Sequence, residues 1–129
     1  MTTIKNFEEL DIWKVSRELV NLIYSDFRDL KDHGFQDQIS RAGISIMNNI
    51  SEGFSRGGNA EFRHFLKISK GSAGEVKNMY YIAEDQVYIN INIASDRRQK
   101  VQNLINSLGG FIKYLRQYNF VHGLYVCGR

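Results

Sequence analysis

The stretch Gln38 to Glu75 constrains the fold most, because two helical segments there would carry facing polar residues if the chain reverses at Gly57-Gly58. In an antiparallel hairpin centred on those glycines, facing positions have numbers summing to about 116. That rule sets Arg41 opposite Glu75, Ser45 opposite Gly71 and Ser72, Asn49 opposite Lys67 and Ile68, and Glu52 opposite His64. A line of small and polar groups therefore runs along an apolar seam. Arg41 and Glu75 are expected to form a partly buried salt bridge that fixes helix register, with Glu52 pairing to His64, Arg56 or Arg63.

The chain has 129 residues and no proline, so the strongest helix breaker is missing throughout. Four helices emerge from the apolar periodicity. Asn6 and Glu9 have capping-box spacing and open the first, whose stripe Ile12, Val15, Leu19, Leu22, Ile23, Phe27 and Leu30 runs until Gly34. Phe7, Leu10, Trp13, Val20 and Tyr24 widen that stripe beyond one face, which calls for a second subunit. The second helix spans about 36–56. The third runs from an N-cap at Asn59 through Phe62, Leu66, Ala73, Val76, Tyr80 and Ala83. The fourth occupies about 95–118, capped by Ser95. Between them, Tyr88 to Ile93 alternates like a strand but reads as the connection; Phe120 to Cys127 is the only other candidate strand, and a short hairpin-like pairing of these two segments is the alternative. The expected fold is all-α: one domain over 1–129, an antiparallel up-down-up-down four-helix bundle assembling as a homo-oligomer.

Glycine inside a helix costs about 1 kcal/mol relative to alanine, so Gly43, Gly71 and Gly74 need a reason. Close helix approach supplies one, with Gly71, Ser72 and Ala73 set against Ala42, Gly43 and Ser45. A phosphate-clamping loop at Gly71-Ser-Ala-Gly74 is the alternative, and it lacks a flanking strand.

No pattern points to an enzyme. His33, His64 and His122 lie in separate segments without metal-ligand spacing, no serine sits in a nucleophile elbow, and no cofactor motif is present. Cys127 has no partner for an internal disulfide. The chain shows neither a leader-like amino terminus nor an apolar run long enough to span a membrane, so cytoplasmic residence is expected.

Charge is unevenly spread. Residues 1–40 carry a net of −3 and residues 41–129 a net of +6. Arg63, Lys67, Lys70 and Lys77 align on one face of the third helix, preceded by Arg56; Arg97, Arg98 and Lys100 open the fourth helix, and Lys113 and Arg116 close it. An ordinary solvated face is the plain reading, whereas repetition around an oligomer would gather these groups into a surface for RNA or DNA.

The segments D-Q-I-S-R-A-G-I-S-I-M-N-N-I-S-E-G-F-S-R (37–56) and E-F-R-H-F-L-K-I-S-K-G-S-A-G-E (61–75) resemble the bacterial four-helix-bundle family of 23S rRNA intervening-sequence proteins, related to the accessory protein of diversity-generating retroelements. The resemblance implies the bundle fold, a homopentameric barrel with a positive surface and, through the retroelement relatives, nucleic-acid binding. It maps onto packing residues, and the basic positions lie outside it. A protein–protein adaptor that never touches nucleic acid is the rival reading.

Overall fold

A computed structural model describes residues 2–118, 120–121 and 124–127, with side chains from residue 4 to residue 118. Four helices packed against each other make up the fold: α1 (Asp11–Phe27), α2 (His33–Arg56), α3 (Asn59–Asp85) and α4 (Ile91–Gln117). A 3-10 turn, Phe7–Glu9, precedes α1. Short strands β1 (Thr2–Ile4), β2 (Phe120–Val121) and β3 (Leu124–Cys127) join the two ends of the chain in an antiparallel sheet of order β1-β3-β2. The two tail strands therefore pair with each other and with β1, not with Tyr88 to Ile93, because residues 91–93 are helical.

Helix boundaries differ from the periodic reading where local hydrogen bonds decide. Glu9 accepts the backbone N–H groups of Asn6 and Lys5, but this box closes the 3-10 turn, and α1 starts only at Asp11. Gly34 does not stop α1. Asp32 sets the boundary by accepting Phe35 N–H at 3.0 Å as N-cap of α2, which puts Gly34 inside the first turn. The freed carbonyls of α1 are met by Gln36, whose Nε2 donates to Phe27 O at 2.7 Å and to Arg28 O at 3.2 Å. Gly57, at φ 85°, ends α2 in the left-handed conformation that glycine adopts without strain.

At the far end of α3, Val87 N–H donates to Glu84 O and Tyr88 N–H to Ala83 O, a Schellman arrangement. Val87 holds the left-handed position at φ 58° and is 85% exposed. A β-branched side chain there costs about 1–2 kcal/mol. Val87→Gly should therefore raise stability by about 1 kcal/mol in chemical unfolding, since almost no side-chain packing is lost. Asn90 then caps α4 by accepting Asn92 N–H, so residues 91–93 form its first turn rather than part of the connection, and Ser95 lies inside the helix.

The core is aliphatic at its centre and aromatic at its ends. Ile23, Ile39, Ile46, Ile50, Leu66, Val76, Leu104 and Leu108 are fully buried. Phe27, Phe35, Tyr80 and Tyr88 stack in edge or tilted pairs at one end, while Phe54, Phe62 and Phe111 do so at the other. Such pairs add about 0.5–1.5 kcal/mol beyond area burial.

Two glycines have a packing reason. A Cβ on Gly53 would sit 2.7 Å from Phe65 Cβ, an atom held close to the α3 backbone. A Cβ on Gly43 would sit 2.8 Å from Ile23 Cδ1, the far end of a side chain able to swing aside. Gly53→Ala should thus cost about 1–3 kcal/mol, and Gly43→Ala clearly less, when both are compared by denaturant unfolding.

Candidate nucleic-acid interface

The polar seam between α2 and α3 is real but shorter than expected. Ser45 and Ser72 share a hydrogen bond of 2.8 Å, and the buried Ser69 donates to Ile46 O at 2.9 Å. Asn49 Nδ2 donates to Ser45 O and Oγ within its own helix. Glu52 pairs with Arg56 at 2.9 Å, one of its expected partners. The Arg41–Glu75 salt bridge is overturned: Arg41 pairs with Asp37 one turn earlier, with the Arg41 side chain 78% exposed. Glu75, also exposed, lies 3.5 Å from the Gln38 amide. Position 41 projects past the rim of the seam, so its charge stays in water.

The basic residues divide into two groups. Arg97 and Arg98 turn inward and hold helices together instead of facing solvent. Arg97 Nε and Nη2 meet the two oxygens of Asp26 at 2.8 and 2.9 Å, clamping the end of α1 to the start of α4. Their side chains are only 15% and 7% exposed. Tyr80 donates to the same Asp26 from α3 at 2.8 Å. Burial, then the Asp26 carboxylate, pushes the Tyr80 hydroxyl far above its ordinary range, so it stays a donor, and the hydrogen bond to Asp26 raises Arg97 likewise. Arg98 pairs with Glu84 at 2.9 Å and lies over the Tyr81 ring at 4.1 Å. Lys100 meets Asp96 at 3.2 Å.

At the α2–α3 turn, Arg56 bridges Glu52 and Glu61 and lies over Phe65. Arg63 is half-buried and donates to Leu115 O at 3.1 Å. Asn59 is not the N-cap of α3, a place taken by Gly58; its amide donates to Leu115 O and Tyr118 O and caps the end of α4. Lys77 donates to Gln102 at 2.7 Å. Neutral partners leave the charges of Arg63 and Lys77 in place, but both side chains have structural duties.

Lys67 and Lys70 remain as expected, exposed on α3. With Lys113 and Arg116 of α4 they rim a groove of about 690 Å³ whose lining is completed by Gly71, Gly109 and Ile112. Among the described residues none of these four cations is in an ion pair. The cause is legible in composition: no acidic residue lies between Glu61 and Glu75, and none follows Asp96. Lys113 and Arg116 belong with Lys67 and Lys70, which only the cross-helix register reveals.

Gly71 and Gly74 lie within continuous α3, which removes the phosphate-clamping-loop reading. Nor do they serve close approach to α2, because a Cβ on either would meet nothing within 4 Å. On α1, Trp13 and Val20 are half-covered within the chain, Trp13 by an edge contact with Phe7 and Val20 by its place beside Gly43. Of the residues expected to widen the α1 stripe, Tyr24 is exposed, and Val15 of the main stripe is exposed with it. A second apolar group, Tyr81, Ile82, Val87, Ile91 and Ile93, surrounds the α3–α4 turn. Among the described residues no cluster of His, Cys, Asp and Glu is placed to hold a metal, and no helix is long and apolar enough to cross a membrane. The side chains of His122 and Cys127 lie outside the described residues.

The fold is shared with a crystal structure of a protein of unknown function from the S23 ribosomal protein family of Bacteroides thetaiotaomicron. That match has a TM-score of 0.73 and 23% identity, covering 79% of this chain and 95% of the other. A comparison with curated proteins finds no match. A family model described as 23S rRNA-intervening sequence protein matches residues 8–110, and the chain belongs to that family.

Proposed function

We propose that the protein is a non-enzymatic cytoplasmic homo-oligomer, pentameric as its resemblance to intervening-sequence bundles implies, that binds RNA or DNA through backbone phosphates. The observation behind this reading is the α3–α4 groove, where four exposed cations have no carboxylate partner among the described residues. An up-down-up-down arrangement is part of this proposal, with opposed α3 and α4 setting Lys67 and Lys70 beside Lys113 and Arg116 around one groove. The groove is lined by Lys and Arg, which meet phosphates on any sequence, and by no Asn, Gln, Asp or Glu, so recognition of the backbone is favoured over reading of bases. Repetition around a ring multiplies weak phosphate contacts into useful avidity.

The adaptor reading draws on a different observation, the apolar group around the α3–α4 turn, which would suit a protein partner. Sedimentation velocity with and without a mixed-sequence RNA or DNA separates the two. An oligomer of the 14.9 kDa chain that shifts on adding either nucleic acid is the expected result. An oligomer that binds neither favours the adaptor, and a lone monomer that binds neither removes the proposal.

A further inference from the structure

We infer that the α3–α4 groove seats a single nucleic-acid strand, RNA or DNA, with its sugar–phosphate backbone lying between the two cationic walls and against a floor of Gly71, Gly109 and Ile112. The inference rests on the nucleic-acid reading above and names the form of the ligand. Cations stand on both sides: Lys67 and Lys70 on α3, Lys113 and Arg116 on α4. A narrow strand laid between the walls meets all four at once. A duplex is a broad convex cylinder that rides on the rim and leaves the floor untouched.

The floor explains what packing leaves unexplained. Glycine is disfavoured in helix interiors, yet Gly71 and Gly74 occupy mid-helix positions where an added Cβ meets nothing within 4 Å. No neighbour among the described residues needs them bare; Gly71 lines the groove, and Gly74 stands about one turn further along α3. Gly109 completes the opposite side, with Lys70 Nζ 3.6 Å from where its Cβ would stand. Open helix backbone beside Ile112 gives a strand a shallow, partly apolar bed for its riboses and unpaired bases, surfaces that a duplex keeps stacked inside.

The test compares oligo-uridine and oligo-deoxythymidine of about 20 nucleotides with a duplex of equal length, using fluorescence anisotropy at low salt. The proteins are the wild type, Gly71→Leu/Gly74→Leu and Lys67→Glu/Lys70→Glu. Both single strands should bind the wild type at least about tenfold more tightly than the duplex. Gly71→Leu/Gly74→Leu should lose about tenfold on single strands and under about twofold on duplex, with its thermal midpoint not lowered, because leucine favours helix and has room. Equal affinity for duplex and single strand, or unchanged single-strand binding by the leucine variant, overturns the inference while leaving phosphate binding intact. Loss of the oligomer in the leucine variant, with the helices still folded, also overturns it, since the floor would then seat a neighbouring copy. Undiminished binding by the charge-reversed variant removes the underlying reading instead.

Discussion

Asp26→Ala should destabilise the protein by about 3 kcal/mol, because it leaves the Arg97 guanidinium, in a site that gives it little water, with only the half-exposed Asp96 carboxylate at 2.8 Å as an ion-pair partner among the described residues. The geometry behind that figure is a two-pronged contact at 2.8 and 2.9 Å, with the Asp26 side chain 7% exposed and Tyr80 donating to the same carboxylate. Arg97→Ala should cost a similar amount by stranding Asp26. Replacing both together, as Asp26→Leu/Arg97→Met, should recover most of the loss, since a buried pair and a well-packed apolar pair are often of similar stability. Urea unfolding of the four proteins measures the coupling directly. A double variant as unstable as the sum of the singles would show that packing volume, and not the charge pair, governs the site. Arg41→Ala is the control: its exposed pair with Asp37 should be worth under about 0.5 kcal/mol.

Lys67→Glu/Lys70→Glu should have the largest effect on binding. Reversing two charges on one wall leaves Lys113 and Arg116 facing carboxylates across the groove, turning an anion site into internal ion pairs. Affinity should fall on every RNA and DNA tested, whatever its sequence, because phosphate contacts carry none of the sequence information. The slope of log affinity against log salt should flatten by about 0.7 on a single strand, or about 0.9 on duplex DNA, for each phosphate that the variant no longer neutralises. Sedimentation should be unchanged, as both side chains point away from the core. By contrast, Arg97→Glu would report on stability and not on the ligand, even though the two arginines at 97 and 98 look equally basic in sequence.

Helix number, order and core faces were legible in the sequence because periodicity depends on local spacing alone. Ile39, Ile46 and Ile50 face the core as their period requires. Helix ends were less legible, since a cap depends on which of several polar groups bonds the free N–H groups. Asn6 and Glu9 formed their box around a 3-10 turn, and Asp32 rather than Gly34 set the boundary between α1 and α2. Asn59 had the chemistry of an N-cap, but it serves carbonyls 56 and 59 positions away.

Long-range pairing was the least legible part of the candidate site. Asp26 and Arg97 are 71 positions apart, and nothing local marks one as the other's partner. The sum rule for the α2–α3 hairpin placed Ser45 against Ser72, where both residues face the partner helix. It failed at Arg41, because a long side chain on the rim takes the nearer carboxylate and stays hydrated. The stripe on α3 was visible as a row of positions, but the separation of Arg63 and Lys77, engaged with α4, from Lys67 and Lys70, free in the groove, needed the neighbouring helix.

The most direct test of phosphate binding by the groove is the affinity of the wild-type protein for one RNA between about 50 and 200 mM salt, repeated with the same RNA scrambled in sequence. A straight, steeply falling log–log line that both RNAs share is the predicted result. Absence of binding at the lowest salt, or an affinity that ignores salt, would contradict it.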